Sequence, residues 1–186
     1  EVVDSGAKWR GVHEVAHIYD AGRGESSCFV TESLGGFGER QLLMFVGEYS
    51  HSIDAKGRMI IPACYREELG EKFYLVKGLD QCLAIYPEKD MLEFIGKLRT
   101  LPQTNKKARK LVRHFTSGAV ECSLDKQGRI LVPATLRDFA GLEKEIILAG
   151  NINRIEVWSK SLWEENSTIE DMDDVTEDLA NNGIGF

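Results

Sequence analysis

The stretch Asp54-Ala55-Lys56-Gly57-Arg58-Met59-Ile60-Ile61-Pro62-Ala63 decides the fold, because the chain repeats it as Asp125-Lys126-Gln127-Gly128-Arg129-Ile130-Leu131-Val132-Pro133-Ala134. At a constant offset of 71, six of the thirteen positions in 54–66 are identical to those in 125–137. The identical residues are Asp, Gly, Arg, Pro, Ala and a final Arg. An internal repeat of this kind indicates a duplicated structural unit.

Each copy predicts the same order of elements: strand, tight turn, strand, short helix, strand and strand. Gly57 and Gly128 suit the positive φ of a tight turn, and the Asp that opens each turn can bond its own backbone. Pro62 and Pro133 end the second strand and suit the first turn of a helix. The predicted strands are 49–53, 59–61, 73–76 and 82–86 in the first copy and 122–124, 130–132, 146–148 and 154–158 in the second, with helices at 63–69 and 133–139.

A unit of about forty residues buries too little apolar surface to fold alone. Two copies in one chain therefore predict that each completes the core of the other, as in a twofold dimer made within one molecule. The two Gly-Arg loops would then lie on the same side, related by the pseudo-twofold axis.

Charge is distributed unevenly along the 186 residues. The formal charge is −3 over residues 1–43, +4 over 44–163 and −8 over 164–186, which together give the net charge of −7. The duplicated body is thus basic although the whole chain is acidic, and a basic body is compatible with a nucleic-acid partner. No apolar run approaches the ~20 residues that cross a bilayer, which predicts a soluble protein.

The segments outside the duplication carry weaker signals. Residues 1–43 have few apolar residues and no regular period, which predicts disorder. Because Met44 stands just before the first copy, we expect the preceding residues to be an upstream or non-native extension. The His13–His17 pair lacks a third ligand and does not predict a metal site. Residues 164–186 are expected to form a frayed helix end and an acidic, solvated tail.

Helices are predicted between and after the copies. The first opens at residues 87–90, and its apolar residues at helical spacing are Met91, Leu92, Phe94, Ile95 and Leu98. The second runs from a Thr104 cap to about residue 116, and one of its faces carries Lys106, Lys107, Arg109, Lys110 and Arg113. This basic face is either simply solvated or contacts phosphates or an acidic neighbouring subunit. Ser159 is predicted to cap a last helix, and Trp158 to be part of the core.

Catalytic chemistry is not predicted. Ser52 and Cys64 lack a His/Asp partner that recurs in both copies, and the same holds for Cys122. The unduplicated histidines, His51 and His114, are expected to be structural. The four cysteines have no zinc spacing and are expected to be small buried residues in a reducing compartment; they are Cys28, Cys64, Cys82 and Cys122. No metal, cofactor or small-molecule substrate is expected, and an enzyme remains the weakest of three hypotheses.

The duplicated loops present cations beside a glycine. Asp54 and Asp125 each precede an Arg by four residues, which should keep the carboxylate ionised and orient the guanidinium. An oriented Arg suits the binding of phosphate oxygens or of the guanine edge better than it suits proton transfer. The alternative is that the Asp54–Arg58 and Asp125–Arg129 pairs only stabilise their hairpins.

Taken together, these residues resemble the MraZ family. The first half of that family is similar to Phe45-x-Gly47-Glu48-Tyr49, Asp54-x-Lys56-Gly57-Arg58, Ile61-Pro62-Ala63 and Arg66. The second half is similar to Ser117-Gly118-Ala119, Glu121-Cys122, Leu124-Asp125-Lys126-x-Gly128-Arg129, Pro133 and Leu136-Arg137. The resemblance covers about residues 44–163, nearly two thirds of the chain, and the doubled Asp-x-x-Gly-Arg pattern is highly specific.

The resemblance implies an α+β fold of tandem AbrB-like swapped-hairpin β-barrel units that form an intramolecular pseudo-dimer with linking helices. It implies a transcriptional repressor in the cytoplasm, on the nucleoid, that assembles as a homo-oligomeric ring. Its partner would be double-stranded DNA, at repeated promoter elements upstream of its own cell-division and cell-wall operon. The implied domains are the extension 1–43, a first repeat at 44–91, a helical connection at 92–116, a second repeat at 117–163 and the acidic tail 164–186.

The family places DNA binding on the Arg of the loop, which carries onto Arg58 and less directly onto Arg129. The candidate DNA-binding residues are Lys56, Gly57, Arg58, Arg66, Lys126, Gly128, Arg129 and Arg137, with Asp54 and Asp125 orienting the loops. Gln127 stands where the first copy has Lys56, so the second copy either binds DNA as well or mainly packs the pseudo-dimer. A different class of protein is the competing hypothesis: an antitoxin-type interaction module that uses the same fold to occupy a protein partner.

Overall fold

The structure is a computed structural model that describes residues 29–32 and 40–167. The strands in this part of the chain are β1 (Phe29–Glu32), β2 (Arg40–Leu43), β3 (Glu48–Ser52), β4 (Arg58–Ile60), β5 (Phe73–Lys77), β6 (Leu83–Pro87), β7 (Val120–Cys122), β8 (Arg129–Leu131), β9 (Glu145–Asn151) and β10 (Arg154–Ser159). The helices are α1 (Ala63–Leu69), α2 (Glu88–Arg99), α3 (Lys106–Thr116), α4 (Ala134–Phe139) and α5 (Lys160–Asn166). The mixed α and β content confirms the predicted α+β class.

Six strands form one antiparallel sheet in the order β3-β9-β10-β6-β5-β7. Exchanging each strand of the first repeat for its counterpart in the second reproduces this order in reverse. The sheet therefore has a pseudo-twofold axis between β6 and β10, at the centre of the order. The first strand of each repeat pairs with the third strand of the other repeat, since β3 pairs with β9 and β7 pairs with β5.

The second strands of the two repeats form a separate two-stranded ribbon, β4–β8. The sequence predicts that β3 and β4 form a hairpin around the Lys56-Gly57 turn. The structure keeps only one bridge of that hairpin, between Ile53 and Met59. Beyond this bridge each strand pairs with the other repeat, β3 with β9 over five residue pairs and β4 with β8 over three.

The main core lies between the sheet and a layer made of the ribbon, α1 and α4. From the layer come Met59, Ile61, Tyr65, Leu69, Ile130, Val132 and Leu136, all of them buried. From the sheet come Phe73, Leu75, Leu83, Ile85, Ile146, Leu148, Ile155 and Val157. Residues of both repeats thus contribute to one core, as expected for units too small to fold alone.

The other face of the sheet carries α2, α3 and α5. Strand alternation directs Val76, Ala84 and Tyr86 to this face, where they pack with Met91 of α2. Phe94 of α2 stacks on Tyr86 and meets Phe115 of α3 edge-on, with ring centroids 5.4 and 4.9 Å apart. Around α5 a smaller cluster buries Cys82, Ile147 and Trp158, which confirms the prediction that Trp158 is part of the core.

Three details of the helices differ from the expectations. Asn105, rather than Thr104, caps α3, because its Oδ1 accepts hydrogen bonds from the Lys107 and Ala108 amides. Leu92 does not join the apolar face of α2 and is 62% exposed. Helix α4 begins at Ala134, with Pro133 as its N-cap residue. Ser159 does cap α5 as predicted, by accepting a hydrogen bond from the Leu162 amide.

Residues 1–28, 33–39 and 168–186 lie outside the described part of the chain. The His13–His17 pair, Cys28, most of the extension and most of the acidic tail belong to these segments. Within 29–43 the structure contains the antiparallel pair β1–β2, which the lack of periodicity in this segment does not predict.

Candidate nucleic-acid interface

The first Gly-Arg loop is closed by the carboxylate of Asp54. Its Oδ1 accepts hydrogen bonds from the Lys56 and Arg58 amides at 2.8 and 2.9 Å. Its Oδ2 accepts from Arg58 Nε at 2.8 Å and lies 2.7 Å from Nη2. Gly57 takes φ +79°, a conformation that glycine adopts without the steric penalty of a Cβ. One carboxylate thus fixes both the backbone of the loop and the direction of the guanidinium.

The second loop reproduces this arrangement. Asp125 Oδ1 accepts from the Gln127 and Arg129 amides at 2.8 and 3.0 Å. Its Oδ2 lies 2.8 Å from Arg129 Nε and 2.7 Å from Nη2. Gly128 has φ +73°. The replacement of Lys56 by Gln127 leaves the loop geometry unchanged, because that residue contributes its backbone amide to the turn.

Both carboxylates are held ionised. The hydrogen bond from the Arg58 side chain, followed by that from the Arg58 amide, lowers the pKa of Asp54 to about 2. The pKa of Asp125 is lowered to about 2 by the equivalent bonds from Arg129. Each Arg is therefore paired with its loop carboxylate, while Nη1 makes no hydrogen bond among the described residues. The pairing places the guanidinium and leaves part of it available for a ligand.

The ribbon brings the two loops together. In its register Arg58 lies opposite Leu131, and Ile60 lies opposite Arg129. Because opposed residues share a face and alternate residues return to it, all four side chains lie on one face. The other face is formed by Met59 and Ile130, which are 1% and 2% exposed and belong to the core. Arg58 and Arg129 are diagonal neighbours with Cα atoms about 7–8 Å apart.

Two further arginines lie behind the loops, each against the opposite repeat. A Cβ added to Gly57 would lie 3.0 Å from Arg137 Cζ, and one added to Gly128 would lie 2.6 Å from Arg66 Nη2. Arg66 Nε also donates a hydrogen bond to the Ile61 carbonyl at 2.9 Å. Arg137 Nε is buried and lacks a partner in the part of the chain that the structure describes. Both arginines are half-buried, so they support the loops and add positive charge beneath them.

Lys56 and Lys126 complete the predicted set as exposed side chains on the loops. The structure therefore places the candidate residues in the two loops, in the ribbon that joins them and, for Arg66 and Arg137, in helices α1 and α4 behind the loops. Ile60 and Leu131, which are absent from the predicted set, share the exposed face with the arginines. Strand alternation could have identified them, since each lies two residues after an Arg that must point outward.

The basic face of α3 is not part of this surface. The helix packs on the sheet face opposite the ribbon, and Lys106, Lys107, Lys110 and Arg113 are exposed there. Arg109 instead donates to the Gln103 and Thr104 carbonyls at 2.8 and 3.0 Å.

The histidines and the buried cysteine in the described part of the chain have structural surroundings. His114 Nε2 lies 2.7 Å from the Gly78 carbonyl oxygen, and its ring meets those of Phe115 and Phe139. Burial lowers the pKa of His51, with the nearby Arg66 as the second cause. Burial also raises the pKa of the Cys82 thiol to about 11.

Over 29–32 and 40–167, no group of three or more His, Cys, Asp or Glu side chains is placed to hold a metal ion. No helix in these ranges is both long and apolar enough to cross a membrane.

Comparison with known proteins identifies the family. A family model described as "MraZ protein, putative antitoxin-like" matches the chain twice, at residues 44–114 and 115–181. The chain belongs to the MraZ family. The second match extends past residue 163, where the sequence resemblance was placed, and the two matches confirm the tandem organisation. MraZ is a family of transcriptional regulators and not of enzymes.

Several relatives are named "Transcriptional regulator MraZ". The protein from Thermoanaerobacter sp. (strain X514) is 54% identical over 138 residues, which cover 73% of this chain and 96% of the relative. That from Lachnoclostridium phytofermentans is 48% identical over 143 residues, covering 77% of this chain and all of the relative. That from Moorella thermoacetica is 57% identical over 122 residues, covering 66% of this chain and 85% of the relative.

Proposed function

We propose that this MraZ protein is a DNA-binding transcriptional regulator whose contact surface is the exposed face of the β4–β8 ribbon with its two Gly-Arg loops. The observation that carries the proposal is that Arg58 and Arg129 lie on the same face of one ribbon, each fixed by its own carboxylate. Guanidinium groups held in this way can approach phosphate oxygens or guanine O6 and N7 without first being ordered. The names of the relatives support regulation of transcription as the outcome of binding.

The fold that we propose for this role is the AbrB-like swapped-hairpin pair, built within one chain. The exchange of strands between the repeats, β3 with β9 and β7 with β5, supports this description. In this proposed fold both repeats contact DNA, because the two loops share one geometry. Lys56 and Lys126 add phosphate contacts at the loop tips, and Arg66 and Arg137 hold the loops from behind.

We propose a ring-shaped homo-oligomer that binds repeated elements upstream of its own operon and represses it, in the cytoplasm and on the nucleoid. One chain offers few phosphate contacts, and each contributes only about −0.9 to the slope of log K against log salt. A single element should therefore bind weakly at physiological salt. Several chains on spaced elements gain affinity through effective concentration, by ~10² or more.

The test is a gel-shift titration with the DNA upstream of the coding region, using wild type, Arg58→Ala and Arg129→Ala. We expect each variant to weaken binding and the double variant to abolish the shifted band, with unchanged circular dichroism and assembly size. Arg113→Ala, an exposed arginine on the opposite face, is the matched control and should bind like wild type. Full binding by the double variant would overturn the proposal.

The same titration with one, two and three elements tests the assembly. Affinity that rises steeply with element number supports the ring, whereas equal affinity per element contradicts it. If Arg113→Ala loses more binding than Arg58→Ala and Arg129→Ala do, the DNA-contacting surface is on α3 and not on the ribbon.

A further inference from the structure

Two aliphatic side chains lie beside the arginines on the proposed DNA-contacting face. Ile60 and Leu131 are 43% and 59% exposed, although their neighbours in the ribbon, Met59 and Ile130, are buried. Each lies opposite an arginine of the other strand, Ile60 with Arg129 and Leu131 with Arg58. Each end of the exposed face therefore carries one fixed cation beside one aliphatic side chain, and the arginines and the aliphatic residues lie on crossing diagonals.

An antiparallel ribbon of two strands has the width that the major groove of B-DNA admits, and the minor groove is about half as wide. With Arg58 and Arg129 directed at the groove, Ile60 and Leu131 necessarily face the base edges beside them, because all four side chains share one face of the ribbon. The apolar group that bases present in the major groove is the C5 methyl of thymine. Aliphatic side chains cannot form hydrogen bonds with base edges. If they lay against cytosine or guanine, the polar groups of those bases would be left without partners.

We propose that Ile60 and Leu131 contact thymine methyl groups in the major groove and make the protein select for thymine beside the bases that Arg58 and Arg129 contact. The inference rests on the proposed DNA-binding function and adds a specificity that the arginines alone do not supply. The pseudo-twofold axis of the ribbon relates the two aliphatic residues, so each should contact a thymine on a different side of the element's centre.

The decisive experiment uses full-length protein and promoter DNA in which deoxyuridine replaces thymine, which removes only the C5 methyl groups. Wild type should bind the substituted DNA more weakly by about fourfold for each contacted methyl, the value of one buried methyl-sized group. Ile60→Ala and Leu131→Ala should each weaken binding to normal DNA. The double variant should bind the two DNAs with equal affinity.

Four affinities, those of wild type and of the double variant for normal and for deoxyuridine-substituted DNA, form a double-mutant cycle. This cycle cancels any effect of deoxyuridine on DNA shape. Leu92→Ala, at an equally exposed leucine of α2, is the control and should keep the wild-type preference for thymine. If wild type binds both DNAs equally, the proposal is wrong. It is equally wrong if the double variant retains the wild-type preference.

A second copy of the chain is the other occupant that this apolar face could have. In that case Ile60→Ala and Leu131→Ala would reduce the assembly size in light scattering without changing the thymine preference, which would overturn the inference. Failure of the proposed function would look different, because wild type would then not bind the promoter DNA at all, or would bind it independently of Arg58 and Arg129.

Discussion

The guanidinium of Arg66 lies directly against Gly128 in the loop of the other repeat, and a Cβ at Gly128 would come within 2.6 Å of its Nη2. The reciprocal contact joins Arg137 and Gly57, with 3.0 Å between Cζ and the added Cβ. The helix of each repeat therefore supports the loop of its partner. The two candidate DNA contacts are mechanically linked through these glycines, so a change in one repeat should affect the loop of the other.

Gly128→Ala should destabilise the protein more than a positive φ alone explains. An alanine in this conformation costs about 1–2 kcal/mol, and it would also displace the Arg66 guanidinium, whose Nε donates a hydrogen bond to the Ile61 carbonyl. Gly141→Ala is the matched control, because Gly141 also has a positive φ but has nothing within 4 Å of an added Cβ. Urea unfolding of both variants measures the difference, and equal losses of stability would contradict the Arg66 contact.

Asp54→Asn together with Asp125→Asn should flatten the acid limb of the stability curve. The pKa of each carboxyl is lowered from 3.8 to about 2 in the folded protein. Their contribution to the free energy of unfolding is therefore fully present above about pH 4 and is lost as the pH falls toward 2. Urea titrations between pH 5 and 2.5 should show a smaller fall in the double variant than in wild type. An equal fall in wild type and in the double variant would contradict the pairing of the loop carboxylates with Arg58 and Arg129.

Replacement of Arg66 by Gln should raise the pKa of His51 without restoring its ordinary value. Burial is the larger cause of the lowered pKa and remains in the variant, whereas the repulsion from Arg66 is removed. The histidine resonances followed by NMR across pH 4–8 measure the shift, and Arg137→Gln is the control in the other repeat. An unchanged His51 pKa in Arg66→Gln would contradict the proximity of the two side chains.

The lowered pKa of His51 also makes the free energy of unfolding depend on pH just below neutrality. Because its folded-state pKa lies below 6.5, the unfolded chain takes up the proton first as the pH falls. The contribution of His51 is thus intact above about pH 6.5 and decreases below it. His51→Gln should remove this part of the pH dependence.

Gln127→Lys should strengthen DNA binding, because it gives the second loop the cation that Lys56 gives the first. One added phosphate contact should steepen the slope of log K against log salt by about 0.9. Binding measured between 50 and 200 mM salt gives that slope. Gln103→Lys, outside the loops and the ribbon, controls for the change in net charge. An unchanged slope in Gln127→Lys would mean that the second loop does not reach the DNA backbone.

Local chemistry made much of the candidate site predictable. The Asp, Gly and Arg of each loop interact within five residues, and Pro62 and Gly70 delimit α1 as expected from their backbone preferences. The duplication also predicted a shared core. These features depend on neighbours in the sequence or on a size argument, so they needed no knowledge of the tertiary structure.

The partners of each strand were not predictable in the same way. The short Gly57 turn favours a local β3–β4 hairpin, but the choice between a local and an exchanged ladder depends on contacts more than eighty residues apart, such as Tyr49 with Leu148. The exposure of Leu92 likewise depends on how α2 packs on β5 and β6. The exposure of Ile60 and Leu131 follows from strand alternation, but their places opposite Arg129 and Arg58 follow only once the ribbon register is known.

The exchanged strands have a consequence for how the two repeats can change. If they were separate identical molecules, their union would depend on concentration, and every substitution would occur twice in the pair. A covalent tether removes both conditions. Tyr65 and Leu136 occupy equivalent buried positions in α1 and α4, yet their side chains differ in polarity. Only Tyr65 has a hydroxyl, which donates to the Val46 and Gly47 carbonyls. One polypeptide can thereby present two unlike halves to a target that is itself asymmetric.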